Sequence, residues 1–133
     1  MTTRQASCSC GQLHVTTEGE PVRISICHCY ACQKRTGSAF GVQARFPVDR
    51  ATPGGNASTF VRVGDEGSKL TQYFCPECGA TVYYTNDGLP GFYGIPVGNF
   101  ADSTFPAPKV AVYTDRRHPW AVMPELQLDE EYA

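Results

Sequence analysis

Long apolar runs are missing from this chain of 133 residues, so no segment approaches the length of a membrane-spanning helix. The first residues, Met1 to Ala6, lack the apolar core of a secretory leader. Charge is also scarce. Lys, Arg, Asp and Glu make up 18% of the sequence, too little for long helices laced with ion pairs. No heptad, repeat period or low-complexity tail is present. No basic run occurs, and the formal net charge is -2. Seven negative thiolates and four positive charges from two zinc ions would take it to roughly -5. Such a balance does not attract a phosphate backbone, so neither nucleic acid nor membrane is expected as a partner.

What the chain does have is turn chemistry and cysteine. Thirteen glycines and ten prolines favour many short strands joined by turns. Hydrophobic residues at 41% can build a modest core, and the length suits one domain over 1–133. Period-two alternation dominates. It runs through Leu13 and Val15, through Val22, Ile24 and Ile26, and through Phe40, Val42, Ala44 and Phe46. Further strands are expected over 60–63, 70–74, 81–85, 92–95 and 110–113. Pro53-Gly54-Gly55-Asn56 and Asn86-Asp87-Gly88 read as turns, and Pro106 and Pro108 break the chain before a last strand. One short helix is expected, over about 31–36. The expected class is mostly β, largely antiparallel, built around metal sites.

The seven cysteines fall into three clusters: Cys8 and Cys10 in C-x-C-G, Cys27, Cys29 and Cys32 in C-H-C-x-x-C, and Cys75 and Cys78 in C-P-x-C-G. Such spacing presents several thiolates to one metal ion. An odd count at close spacing fits a reduced, cytoplasmic metalloprotein better than a secreted disulfide scaffold. Two pairs ending in Cys-Gly would complete a closed zinc site from Cys8, Cys10, Cys75 and Cys78. Gly11 and Gly79 suit the positive φ of a turn past a metal-bound thiolate. The alternative is four free cysteines acting as small apolar residues.

Cys27, Cys29 and Cys32 supply only three sulfurs, and Gln33 rather than Gly follows the last. A zinc there would keep a fourth position for water or substrate, or would take a histidine. Alternation in an extended C-H-C stretch turns His28 away from the face shared by Cys27 and Cys29. His14 and His118 remain as distant alternatives, which would make the second zinc structural.

The stretch 27–40, C-H-C-Y-A-C-Q-K-R-T-G-S-A-F, resembles the core motif of the glutathione-dependent formaldehyde-activating enzyme and centromere protein V family. The C-S-C-G at 8–11 and F-C-P-E-C-G at 74–79 match its flanking knuckles, and Pro96 to Asp102 and Val112 to Trp120 resemble its C-terminal half. The resemblance implies an Mss4-like fold of short coiled antiparallel sheets. It implies a structural zinc on Cys8, Cys10, Cys75 and Cys78 and a catalytic zinc on Cys27, Cys29 and Cys32. It also implies a carbon–sulfur lyase-type activity that joins glutathione and formaldehyde, or a related thiol and small carbonyl.

A glutathione site needs cationic partners for two carboxylates. Lys34 and Arg35, beside the cluster, are the expected contacts, with Arg45, Arg116, Arg117 and His118 as further options. Phe40, Tyr83, Tyr84, Phe92, Tyr93 and Trp120 either wall a pocket or fill the core. Two other functions fit parts of the pattern. One is a noncatalytic zinc module for a protein partner. The other is a methionine sulfoxide reductase, since some share the fold, although that chemistry needs a redox cysteine free of metal.

Overall fold

A computed structural model describes residues 1–123 and 129–131. Among the described residues eleven strands form two sheets, accompanied by one short α-helix. The smaller sheet has the order β1 (Thr3–Ser7), β2 (His14–Glu18), β5 (Ala51–Gly54). The larger has eight strands. Its central pair is β3 (Arg23–Cys27) and β4 (Gly41–Pro47). Beyond β4 lie β9 (Phe92–Pro96), β8 (Thr81–Asn86), β7 (Lys69–Phe74) and the edge strand β6 (Ser58–Val63). Beyond β3 lie β10 (Val110–Val112) and β11 (Asp129–Glu131). The class is mostly β, as expected, and it agrees with an Mss4-like fold. The pairing is not purely antiparallel, because β10 runs parallel to both β3 and β11.

Alternation sorts the side chains of the large sheet between two faces. Ile24 and Ile26 on β3, Ala44 and Phe46 on β4 and Ile95 on β9 face inward and are buried. Ala6, Leu13, Val15 and Ala51, from the small sheet and the loop beside it, meet them. Phe46, fully buried, packs at 6.2 Å from Phe100, and truncating such a ring to alanine typically costs about 3–5 kcal/mol. On the opposite face lie Arg23, Ser25 and Cys27 of β3, Gln43 and Arg45 of β4, and Phe92 and Gly94 of β9. These residues line a cavity.

The sheet curls around that cavity. Arg62 of β6 lines the same space as Cys27 of β3, although four strands separate the two in the sheet order. The turn between β6 and β7 reaches the far end of the sheet. Asp65 there pairs with Arg116 at 2.6 Å, and the Tyr113 hydroxyl donates to Glu66 at 3.0 Å. Tyr113 holds a left-handed φ of 55°, a conformation costing on the order of 1 kcal/mol for a non-glycine residue. The guanidinium of Arg116 lies 5.1 Å from the Tyr113 ring centre and helps to hold it there.

Of the two expected turns, the one at 86–88 forms as read, and the one at 53–56 begins later. Pro53 and Gly54 belong to edge strand β5, and the chain turns only at Gly55, with φ 90°. Proline is tolerated there because an edge strand has one unpaired side. At the other turn, Asn86 ends β8 and its side-chain oxygen accepts from the Gly88 amide at 2.9 Å. Among the described residues no helix is long and apolar enough to cross a membrane.

Candidate metal centres

The first cluster brings Cys8, Cys10, Cys75 and Cys78 together, with all four sulfurs within 4.8 Å of one another. Two knuckles build it with nearly the same hydrogen bonds. The Cys8 amide donates to the Leu13 carbonyl at 2.9 Å, and the Cys75 amide to the Ala80 carbonyl at 3.0 Å. Gly11 and Gly79 follow with φ of 85° and 82°. A side chain at either position would adopt that backbone only with strain. Sulfur pairs Cys8–Cys10 and Cys10–Cys75 are each 3.6 Å apart. Tetrahedral zinc with Zn–S near ~2.3 Å needs sulfurs about 3.8 Å apart, so the donor set fits the ion.

The sulfurs also accept N–H donors. Leu13 N reaches Cys8 at 3.3 Å, Glu77 N reaches Cys75 at 3.4 Å, and Gln12 Nε2 reaches Cys75 at 3.0 Å. Burial works to raise the Cys75 thiol, but these donors and the Cys78 amide outweigh it and bring the group down to about 6. A thiol so disposed gives up its proton readily to a metal.

The second cluster gathers Cys27, Cys29 and Cys32, all buried, with their sulfurs within 4.8 Å of one another. Cys27 ends β3. Cys29 is the N-cap of the helix α1 (Tyr30–Thr36), and its sulfur accepts from the Cys32 amide at 3.3 Å. Gln43 Nε2 donates to the Cys32 sulfur at 3.3 Å. Hydrogen bonds from Cys27 and Cys32 hold the Cys29 thiol far below its ordinary range, and the reciprocal bonds push Cys27 far above. No histidine, aspartate or glutamate among the described residues joins either sulfur group.

The three candidate histidines lie elsewhere. His28 is buried with its ring edge-on to Phe40. His14 Nδ1 pairs with the Gln12 carbonyl at 3.1 Å. His118 Nε2 pairs with Gln33 Oε1 at 2.9 Å and its ring stacks on Trp120. Gln33 also donates to the carbonyls of His28 and Arg116, so the residue that replaces glycine after Cys32 ties α1 to the chain at 116–118.

The two clusters differ most in what lies beside them. Cys27, Cys29 and Cys32 line a cavity of about 640 Å³, and none of the other four cysteines does. Its wall carries Arg23, Arg35, Arg45, Arg62 and Arg116 against Asp65 and Glu66, so it is electropositive. Arg23 and Arg45 stand directly opposite each other on β3 and β4. Of the expected contacts, Arg35 lines the cavity, whereas Lys34 is exposed on α1 and does not. Tyr84 and Phe92 line it too, Tyr83 lies in the core, and Tyr93 packs against that core. Trp120 is exposed. The ring of Tyr84 lies across its cross-strand partner Gly94, where a Cβ would clash with it.

Arg23 and Gln43 were legible in principle, because alternation puts them on the side of Cys27. Arg62 was not, since only the curl of the sheet brings it there.

The chain is mostly β and carries two cysteine clusters that could hold metal ions, one closed and one opening on a cavity. Over residues 3–116 the chain matches the family described as glutathione-dependent formaldehyde-activating enzyme, and it belongs to that family. Among solved structures it is similar to a crystal structure of a Rhodobacter sphaeroides protein, with 15% identity and a TM-score of 0.58. That alignment covers 96% of this chain and 99% of the other, and at this identity it speaks for the fold alone. A search of curated proteins found no match.

Proposed function

We propose that this chain is a zinc-dependent carbon–sulfur lyase-type enzyme acting on adducts of glutathione, or a related thiol, with formaldehyde or another small carbonyl. Cys8, Cys10, Cys75 and Cys78 hold a structural zinc, and Cys27, Cys29 and Cys32 hold a catalytic one. The observation that carries this reading is the position of three buried thiols, with no fourth protein ligand among the described residues, in the wall of an electropositive cavity. A zinc ion bound there would supply a position where an incoming thiol is held as its thiolate at neutral pH. The sulfur lone pair attacks the carbonyl carbon, the C=O electron pair moves to oxygen, and a proton completes the hemithioacetal. The reverse sequence cleaves it.

The chain's own contribution is largely to bind and orient. Gln43 and the Cys32 amide fix the sulfurs of Cys32 and Cys29. Arg35 and Lys34 are assigned the carboxylates of glutathione, and of the two only Arg35 lines the cavity. The family's description names glutathione and formaldehyde, and supports this choice of thiol and carbonyl.

X-ray absorption on the zinc-loaded protein, with and without glutathione, tests the reading. Entry of an additional sulfur at about 2.3 Å is expected. A histidine nitrogen that glutathione does not displace would make the second zinc structural. Lys34→Ala and Arg35→Ala should each weaken glutathione binding, and unchanged binding in both would reject the carboxylate assignment.

A further inference from the structure

Two buried polar atoms beside the three-thiol cluster have no hydrogen-bond partner, and they are complementary. Arg35 Nη2 is a donor and Gln43 Oε1 is an acceptor. Both converge on Gly41. A Cβ placed on that residue would lie 2.9 Å from Arg35 Nη2, 3.3 Å from Gln43 Oε1 and 3.4 Å from Cys32 Cβ. The absence of a side chain at Gly41 therefore lets an N–H donor and a carbonyl acceptor pack against the backbone beside a cluster cysteine. Gly41 lies directly opposite Cys27 in the β3–β4 pair, and Cys32, Arg35 and Gln43 all line the cavity. The amide of Gln43 is oriented by its other end, because Nε2 donates to the Cys32 sulfur at 3.3 Å. Its oxygen is thus turned away from that sulfur.

Buried polar atoms normally have partners, and an orphaned donor and acceptor that both pack against one glycine describe the group that would satisfy them. A hydroxyl does so through a single oxygen, which both donates and accepts. An aldehyde oxygen accepts only, and a carboxylate would meet the Gln43 oxygen as a second acceptor. The hemithioacetal of the proposed reaction carries a hydroxyl on the carbon bonded to sulfur. A centre with several thiolates around one cation is itself a poor electrophile toward a carbonyl, so the developing oxygen charge needs a donor elsewhere.

We propose that Arg35 Nη2 and Gln43 Oε1 form the subsite for the substrate oxygen, holding the hydroxyl of the hemithioacetal and the aldehyde oxygen from which it forms. This subsite rests on the thiol-adduct reading given above, and it takes only Nη2 of Arg35, so the glutathione carboxylate falls to the other N–H groups of that guanidinium and to Lys34. In the forward direction Arg35 donates to the carbonyl oxygen as the C–S bond forms and the π electrons move onto that oxygen. The oxygen then takes one proton, equal to the proton that the thiol loses on binding, and the new O–H donates to Gln43. In reverse the hydroxyl proton leaves, the oxygen lone pair reforms C=O, and the sulfur departs with the C–S bonding pair.

Calorimetric titration of the zinc-loaded protein with 2-mercaptoethanol and with 1-propanethiol tests the subsite without reference to turnover. The two thiols have equal heavy-atom counts and no carboxylate, and they differ only in O–H against CH₃. The expected result is a preference of wild type for 2-mercaptoethanol, and a fall in the affinity ratio of about tenfold in both Arg35→Met and Gln43→Leu. Gly41→Ala should lower the ratio too, because its methyl group would push Arg35 Nη2 and Gln43 Oε1 from their positions while both side chains remain. Should Arg35→Met not fold, Gln43→Leu and Gly41→Ala carry the same comparison. A ratio unchanged in the variants overturns the subsite. So does an equal loss of affinity for both thiols, which would show Arg35 serving only to balance thiolate charge. Binding of neither thiol by wild type would bring down the lyase reading itself, whereas binding without preference brings down the oxygen subsite alone.

Discussion

The closed cluster joins cysteines distant in sequence, Cys10 and Cys75 being 65 positions apart, while the open cluster takes all three of its cysteines from 27–32. The closed cluster exists only when the knuckle after β1 and the knuckle after β7 have met, so any ion it binds contributes directly to folding. Two of its members, Cys8 and Cys75, are also part of the hydrophobic core. The open cluster is nearly local. The end of β3 supplies Cys27, the helix cap supplies Cys29, and the first turn of α1 supplies Cys32. What the tertiary fold adds to it is the cavity. Long-range sulfurs therefore tie distant parts of the chain together, and short-range sulfurs line the cavity.

The sharpest way to break that contrast is to remove one sulfur from each side. Cys75→Ser is expected to abolish the folded state, because structural zinc in small domains contributes about 10–16 kcal/mol, as much as a whole domain's stability. Cys29→Ser should leave a folded protein, since serine is itself a good N-cap for α1. Circular dichroism and thermal melts of the two variants decide it, and equal damage from both would erase the distinction between the clusters.

Graded chelation probes the same contrast through affinity. A three-sulfur site should release zinc before a four-sulfur site does, leaving one zinc per chain and an intact fold. Native mass spectrometry alongside far-ultraviolet dichroism would follow the two steps. One cooperative release that coincides with unfolding would contradict it.

The cavity side should also respond to alkali. Burial in the cavity wall, with the Cys32 thiol adding to it, raises the Tyr84 phenol to about 12. The folded state thus holds this proton more tightly than the unfolded chain, whose phenol titrates near ~10. The corresponding stability is complete below pH ~10 and is lost as pH rises toward about 12, by at most about 2–3 kcal/mol. Tyr84→Phe should flatten that part of the pH–stability curve of the zinc-loaded protein. An unchanged alkaline limb would show that Tyr84 is not held neutral by its surroundings.

The smallest effect is expected where the curled sheet closes. Asp65→Asn removes the charge partner of Arg116 at a largely exposed position, so the melting temperature should barely move. Amide exchange over 64–68 should quicken, because the β6–β7 turn loses its hold on the far end of the sheet. Unaltered exchange there would mean that the Tyr113–Glu66 hydrogen bond is enough to keep the cavity closed.

Much of this was legible from residues alone. The alternation of Ile24 with Ile26 and of Ala44 with Phe46 marks the buried face of two central strands, and all four are buried. The helix expected over about 31–36 spans Tyr30–Thr36, stopped by Gly37 in a left-handed turn. Strand β1 escaped because Thr3 to Ser7 carries only one buried residue, Ala6, and so shows no apolar alternation. Strand β5 was obscured by Pro53 and Gly54, which read as turn residues and sit on an edge. β11 consists of three acids, Asp129, Glu130 and Glu131, with no apolar signal. Among the aromatics, the sequence did not distinguish Tyr84 in the cavity wall from Tyr83 in the core, because period two assigns faces only once a strand's register is known.

Residue spacing by itself determined which thiols lie close together along the chain, and which positions of a strand share a face. Both are local properties, set by the reach of a few peptide units and the alternation of the pleat. The matching Cys-Gly ends also pointed to the meeting of the two knuckles, which the fold brings about. That β10 joins β3 in parallel and that Arg62 faces the same cavity as Cys27 were decided only by the tertiary structure. Those arrangements depend on the curl of an eight-stranded sheet, which accumulates from the twist between neighbouring strands and is closed by contacts such as Asp65 with Arg116. No short window of sequence carries that sum, because each strand contributes to it through partners far away in the chain.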